Sequence, residues 1–127
     1  MGQKPQILVD TDILIKVYRG NVFHKKPLDK EENNLAISSV TYLELLFGLK
    51  TRSRIIDLNK QMRAYKLIHI SEAISIKALE IVSKYTISNS IKTADSLIAA
   101  IALINNLNLF TDNTHDFDFI QGLQLYK

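Results

Sequence analysis

The sequence predicts an α/β fold: a single domain over residues 1–127, with a central, mostly parallel sheet flanked by helices on both faces. Three observations predict it. Short apolar runs at 7–9, 35–37 and 107–111 alternate with longer stretches of helical periodicity. The runs are short, β-branched and apolar, as strands buried between two helical layers are. A chain of 127 residues, 46% of them hydrophobic, suits one continuous core rather than two.

Taken in order, Ile7-Leu8-Val9 is a buried strand ending at Asp10. Residues 13–18 form a helix stopped by Gly20. Residues 21–34, charged and holding Pro27, form a loop or a short, weak helix. Leu35-Ala36-Ile37 is a second strand, and Ser38-Ser39 leads into an apolar helix at 40–49. Residues 52–66 make a third helix with Ile55, Leu58, Asn59 and Met62 on one face. Residues 67–70 are a short strand, and Ser71 stands where it can cap a helix at 72–85. Polar residues at 86–92 interrupt the pattern. The next helix, 93–105, is apolar around most of its circumference and therefore buried. Residues 107–111 are another strand, 112–118 a polar turn and 123–126 an edge strand. No repeat or linker interrupts this succession.

Composition removes several function classes. With no cysteine, disulfides and thiolate zinc sites are excluded, and a cytoplasmic location is expected. His24, His69 and His115 lack the spacing of a zinc motif. Residues 1–6 lack the apolar core of a signal peptide, and no apolar run approaches the roughly 20 residues of a membrane span, so no membrane partner is expected. The formal charge of +3 tolerates a polyanion without demanding one. Lys50, Arg52, Arg54, Lys60, Arg63 and Lys66 cluster in one segment, as a polyanion contact or as a solvated helix face.

Four acids stand apart because each adjoins an apolar stretch: Asp10, Glu44, Asp95 and Asp116. Ligands of open parallel sheets collect beyond the carboxyl ends of the strands, where Asp10 and residues 112–116 lie. If the four converge, each like-charge pair at about 5 Å costs roughly 3 kcal/mol at an effective dielectric of about 20, and the sum approaches about 20 kcal/mol. A domain is stable by only about 5–15 kcal/mol. A divalent cation relieves that strain directly.

Each acid also has a plain structural reading. Asp10 and Asp12, on either side of Thr11, are turn or cap residues, with Asp12 able to cap the following helix. Glu44 has Val40 and Phe47 as helical neighbours, which predicts a buried face where an unpaired charge needs a partner; the alternative is a capping box with Thr41. Asp95 in a helical first turn suits the helix dipole. Asp112, Asp116 and Asp118 are ordinary in a polar turn. Only the conjunction points to chemistry.

In order along the chain stand Ile7-Leu8-Val9-Asp10-Thr11-Asp12-Ile13-Leu14-Ile15 and then Ile37-Ser38-Ser39-Val40-Thr41-Tyr42-Leu43-Glu44-Leu45-Leu46-Phe47-Gly48-Leu49. Thr93-Ala94-Asp95-Ser96-Leu97-Ile98-Ala99-Ala100 and Leu109-Phe110-Thr111-Asp112-Asn113-Thr114-His115-Asp116-Phe117 follow. This succession resembles the PIN-domain ribonucleases, above all the VapC-type toxins of toxin–antitoxin pairs, over nearly the whole chain. The resemblance implies a PIN-like domain and an endoribonuclease dependent on Mg²⁺ or Mn²⁺. It assigns Asp10, Glu44, Asp95 and Asp116 to the acidic site, with Thr11, Asp12, Thr111, Asp112 and Asn113 supporting them. It also implies an RNA substrate, a cognate antitoxin and a homodimer. Asp12 stands where many relatives have Asn, Asp112 adds an acid to the last motif, and residues 21–34 are short for the helical segment many relatives carry there. Two other readings compete: a haloacid-dehalogenase-type phosphatase using Asp10 and Asp12, and a non-catalytic module that binds RNA or protein.

Overall fold

The computed structural model describes residues 4–127, so part of the polar N-terminal segment 1–6 lies outside the described residues. Four strands, β1 (Ile7–Val9), β2 (Leu35–Ser38), β3 (Lys66–Ile68) and β4 (Asn108–Phe110), form one sheet in the order β3-β2-β1-β4. Every pairing is parallel, with Leu8 opposite Ala36 on one side and Leu109 on the other. Six helices connect and cover them: α1 (Thr11–Tyr18), α2 (Val22–Lys30), α3 (Ser39–Phe47), α4 (Arg52–Met62), α5 (Glu72–Asn89) and α6 (Thr93–Ile104). A short 3-10 turn, Thr114–Asp116, follows β4.

The strands alternate their side chains between two cores, as the pleat requires. Ile7, Val9, Leu35 and Ile37 pack with Ile13, Leu14, Leu28, Leu45, Leu58 and Met62 of α1 to α4. Leu8, Ala36 and Leu109 face the opposite way, against Ile74, Ala78 and Ile81 of α5, the alanine-rich side of α6, and Phe117. The small side chains Ala99, Ala100 and Ala102 let α6 lie close to the sheet. This double burial explains why the strands read as unbroken apolar runs.

Several boundaries differ from the expectation for physical reasons. Helix α1 begins at Thr11, because the Asp10 side chain accepts from Thr11 N and serves as its N-cap. Residues 22–30 form a helix despite Pro27: Asn21 caps it by accepting from His24 N, and His24 and Leu28 anchor it. Helix α5 continues through 86–89, where polar residues meet solvent, and stops at Ser90 in the left-handed region at φ 52°. Residues 123–126 make one parallel bridge, Leu109 to Leu125, rather than an edge strand. On α4, Leu58 and Met62 are buried, whereas Ile55 is exposed and Asn59 bonds the Tyr42 hydroxyl at the surface.

Replacing Ile101, wholly buried between α6 and the sheet, by Ala is expected to cost about 2–5 kcal/mol in urea denaturation. Phe47→Ala, at a side chain 93% exposed on α3, is expected to stay within about 0.5 kcal/mol. Equal losses would contradict this division between core and surface.

Candidate metal centre

Asp10 leaves the carboxyl end of β1, between the neighbouring strands β2 and β4. Its backbone N–H donates to Phe110 O, which continues the pairing with β4 one step beyond the sheet. The side chain is buried at 6% exposure, with Oδ1 accepting from Thr11 N (2.8 Å) and Oδ2 from the Thr111 hydroxyl (2.8 Å). Thr111 Oγ1 in turn accepts from Asn113 N (3.0 Å), so Asn113 supports the site through its backbone. Burial pushes the Asp10 carboxyl up to about 7. The charges of Asp12 and Asp95 add to this, while the bonds from Thr111 and Thr11 oppose it.

Asp95, in the first turn of α6, is half-buried. Burial raises its pKa first, then the charge of Asp116; Glu44 and Asp12 add to the rise, and Lys92 works against it. Asp10, Asp12, Glu44, Asp95 and Asp116 therefore share one electrostatic field, although they come from four separate regions of the chain. Asp116, in the 3-10 turn, is exposed and lines a cavity together with Asp95.

Glu44 corrects an expectation. The side chain is exposed, because α3 buries Thr41 and Leu45 and turns Leu43 and Phe47 to solvent, Phe47 at 93% exposure. The capping box is also absent: Ser38 is the N-cap, accepting from Thr41 N (3.0 Å). Glu44 is held from another helix instead, by the Thr11 hydroxyl at 2.7 Å from Oε1. Thr11 Oγ1 also lies 3.0 Å from Thr41 Oγ1, which is 3.2 Å from Ser38 Oγ. A carboxylate only accepts, so the Thr11 proton goes to Glu44 and the chain of hydroxyls runs toward it.

Asp12 is not the N-cap of α1. Lying within the first turn, it accepts from Ile13 N (2.8 Å) and from Asp112 N (3.0 Å), tying α1 to the loop after β4. Asp112 is occupied elsewhere, accepting from Lys16 Nζ and pairing with His24 Nε2. Partial burial works against its charge, yet Lys16 and His24 hold its carboxyl below the ordinary range. The extra acid of the last motif is thus a structural clamp. Lys16 and His24 escaped the sequence reading. Lys16 lies four residues after Asp12, one helical turn away, which is a faint signal; nothing local marks His24, whose partner is 88 residues distant.

The donor set is entirely carboxylate and hydroxyl oxygen, which suits a hard divalent cation. Among the described residues, no three acidic or histidine side chains close into a ready-made cage. An open arrangement fits an ion that keeps several waters and takes one or two carboxylates directly. A groove of about 510 Å³ runs from Glu44 between α1, α3 and α4, past Tyr18, Arg19, Arg54 and Leu58. Of the six clustered basic residues only Arg54 lines it, and Arg19 joins from α1.

The PIN domain family pattern matches residues 7–122, almost the full span from β1 to the end of the last motif. The chain belongs to the PIN-domain family. Two relatives of this PIN domain are similar along nearly their whole length. "Ribonuclease VapC10" of Mycobacterium tuberculosis is 33% identical over 121 residues, covering 93% of this chain and 90% of that one. "Ribonuclease VapC1" of Methanocaldococcus jannaschii is 31% identical, covering 98% and 89%. Among solved structures, "Toxin-antitoxin complex from Klebsiella pneumoniae" superposes with a TM-score of 0.81 at 30% identity, covering 93% of this PIN domain and 95% of that chain. Among the described residues, no helix is long and apolar enough to cross a membrane.

Two outcomes follow from this geometry. Asp10 titrates at about 7 when folded and near 3.8 when unfolded, so the folded state holds more protons between those values. Without cation, the melting temperature is expected to fall as pH rises from about 4 to about 7, and Asp10→Asn is expected to flatten that slope. Melts in EDTA across that range check it; an unchanged slope in the variant would contradict it. His24→Ala is expected to lower stability by about 1–3 kcal/mol. Lys16→Ala, at the solvent side of the clamp, is expected to cost under about 1 kcal/mol in the same denaturation assay.

Proposed function

We propose that this protein is an endoribonuclease toxin of the VapC type, hydrolysing RNA phosphodiester bonds with Mg²⁺ or Mn²⁺ and restrained by a cognate antitoxin. The observation that carries the reading is the gathering of Asp10, Asp95, Asp116 and Glu44 into one field at the carboxyl end of the sheet. The VapC relatives named above support the choice of reaction and of partner.

A divalent cation bound here supplies positive charge against the charge developing on a reacting phosphate, and it acidifies water. Asp10, fixed by hydrogen bonds from Thr11 N and Thr111, would hold the ion directly. Asp95 and Asp116 complete the acidic wall. Glu44, exposed and aimed by Thr11, orients the attacking water or takes its proton. Thr11 and Thr111 thus set the geometry of two acids from opposite sides of β1. Asp12 and Asp112 act one layer further out, holding α1 against the β4 loop.

Arg19 and Arg54, in the groove that starts at Glu44, are the cations best placed to hold RNA phosphates. Such contacts position a strand without reading its sequence. Lys50, Arg52, Lys60, Arg63 and Lys66 stand outside the groove lining and take the role of a solvated face. Ile76, Leu79 and Ile87, exposed on one side of α5, give the homodimer of this reading an apolar surface. The phosphatase alternative is replaced by the family assignment, and Asp12, with both oxygens accepting backbone bonds, is poorly suited to an acid/base role.

Asp10→Asn and Asp95→Asn are each expected to abolish Mg²⁺- or Mn²⁺-dependent cleavage of RNA while keeping the circular dichroism of the wild type. Full activity in both variants would overturn the reading. Either cation is also expected to raise the melting temperature of the wild type more than that of Asp10→Asn, since a ligand stabilises the state that binds it.

A further inference from the structure

A separate cavity of about 290 Å³, sharing no lining residue with the arginine groove, lies between the end of α5, the start of α6 and the 3-10 turn. Asp95 and Asp116 form part of its wall, so it adjoins the acidic centre. The remaining wall is different in kind. The other lining residues include Phe119 and His115, which carry rings, Asn89, which carries an amide, and Lys92, which carries an ammonium group. We infer that this cavity is a subsite for one unstacked base of the RNA strand, next to the phosphate held at the acids. The inference rests on the ribonuclease reading above and deepens it.

The wall chemistry selects the occupant. Away from the two acids the lining carries one cationic side chain, Lys92, too little to hold a backbone phosphate, whereas a neutral base needs none and leaves its charged backbone outside. Single-stranded RNA is recognised by stacking splayed bases on aromatic rings and bonding their polar edges, and this wall offers both kinds of contact. Asn89 Oδ1 already accepts from Ser88 Oγ (2.6 Å), which leaves the Asn89 amide N–H groups to donate to a base edge. The volume lies at the lower end of small-ligand pockets, about 300 Å³, and so suits one base rather than a longer piece of strand.

The cavity is also built on fixed supports. The Phe119 ring packs edge-on against Tyr85, with centroids 5.2 Å apart, and Tyr85 Oη accepts from Gln121 N at 3.0 Å. Ser90, in the left-handed region, turns the chain sharply between α5 and α6 and sets the rim that carries Asn89 and Lys92. A base held here and phosphates held by Arg19 and Arg54 would draw the strand across Glu44, Asp10 and Asp95. The subsite therefore governs which base may flank the cut, while the arginine groove governs affinity for the backbone.

Binding of end-labelled homo-oligoribonucleotides of A, C and U, followed by fluorescence anisotropy in the Asp10→Asn protein so that no strand is cut, tests the subsite. His115→Ala, Asn89→Ala and Phe119→Leu in that background are expected to weaken the preferred oligonucleotide roughly tenfold and to flatten the order among bases. Lys77→Ala, on a different part of α5, is expected to change neither. Phe119→Leu keeps an apolar contact for Tyr85, and exposed His115 tests the wall without touching the core. Unchanged affinities and base order in all three variants, or no RNA binding at all, would overturn the subsite. Cleavage by the wild type with unaltered variants would remove the subsite alone. Altered binding with no cleavage by the wild type would keep the subsite and remove the ribonuclease reading.

Discussion

Asp10 is a carboxylate that the fold buries at the end of the strand next to the sheet's centre, where water cannot solvate it fully. Everything nearby answers that constraint. The first N–H of α1 and the hydroxyl of Thr111 each give it a hydrogen bond, and the β1–β4 pairing carries on to Asp10 N so that Thr111 arrives in register. The same helix start places Thr11 where its hydroxyl aims Glu44 from α3. Even so, burial and the neighbouring charges hold the Asp10 carboxyl near 7, far above an ordinary aspartate. Folding alone leaves this site strained, and in the proposed function a bound cation would relax it.

The acids divide into two groups with opposite electrostatic fates. Asp10 and Asp95 are pushed up by burial and by other carboxylates, a pattern that clusters at functional sites. Asp112 is pulled down by Lys16 and His24, as a residue already paired is. Asp12 bridges the groups, since its oxygens are engaged by backbone N–H donors on both α1 and the β4 loop. Strain is concentrated on Asp10 and Asp95, while the paired Asp112 and the bonds of Asp12 fix the β4 loop against α1.

Much of the fold was legible in the sequence, because the two-sided burial of a parallel sheet writes itself as short apolar runs between amphipathic helices. The errors came where local pattern and tertiary environment disagree. Tyr42 to Phe47 reads as a buried helix, yet Leu43, Glu44 and Phe47 face solvent, because a helix beside an open groove is covered on one side only. Residues 21–34 read as a loop or a short, weak helix because of Pro27 and their charges, and one capping bond from Asn21 with two buried side chains decides for the helix α2. The extent of α5 past Thr86 was hidden, since polar residues in solvent neither favour nor forbid another turn.

The sequence by itself determined the α/β class, the four parallel strands and the family, and it singled out the four acids as candidates, because each is encoded in local periodicity or in ordered motifs. Tertiary structure alone decided which partners each acid has. Glu44 is exposed and aimed by Thr11, Asp12 ties α1 to a loop 100 residues away, and Asp112 belongs to His24 and Lys16. A carboxylate's role depends on which dipoles and charges stand within a few ångströms of it, and those neighbours come from distant segments that no local pattern connects.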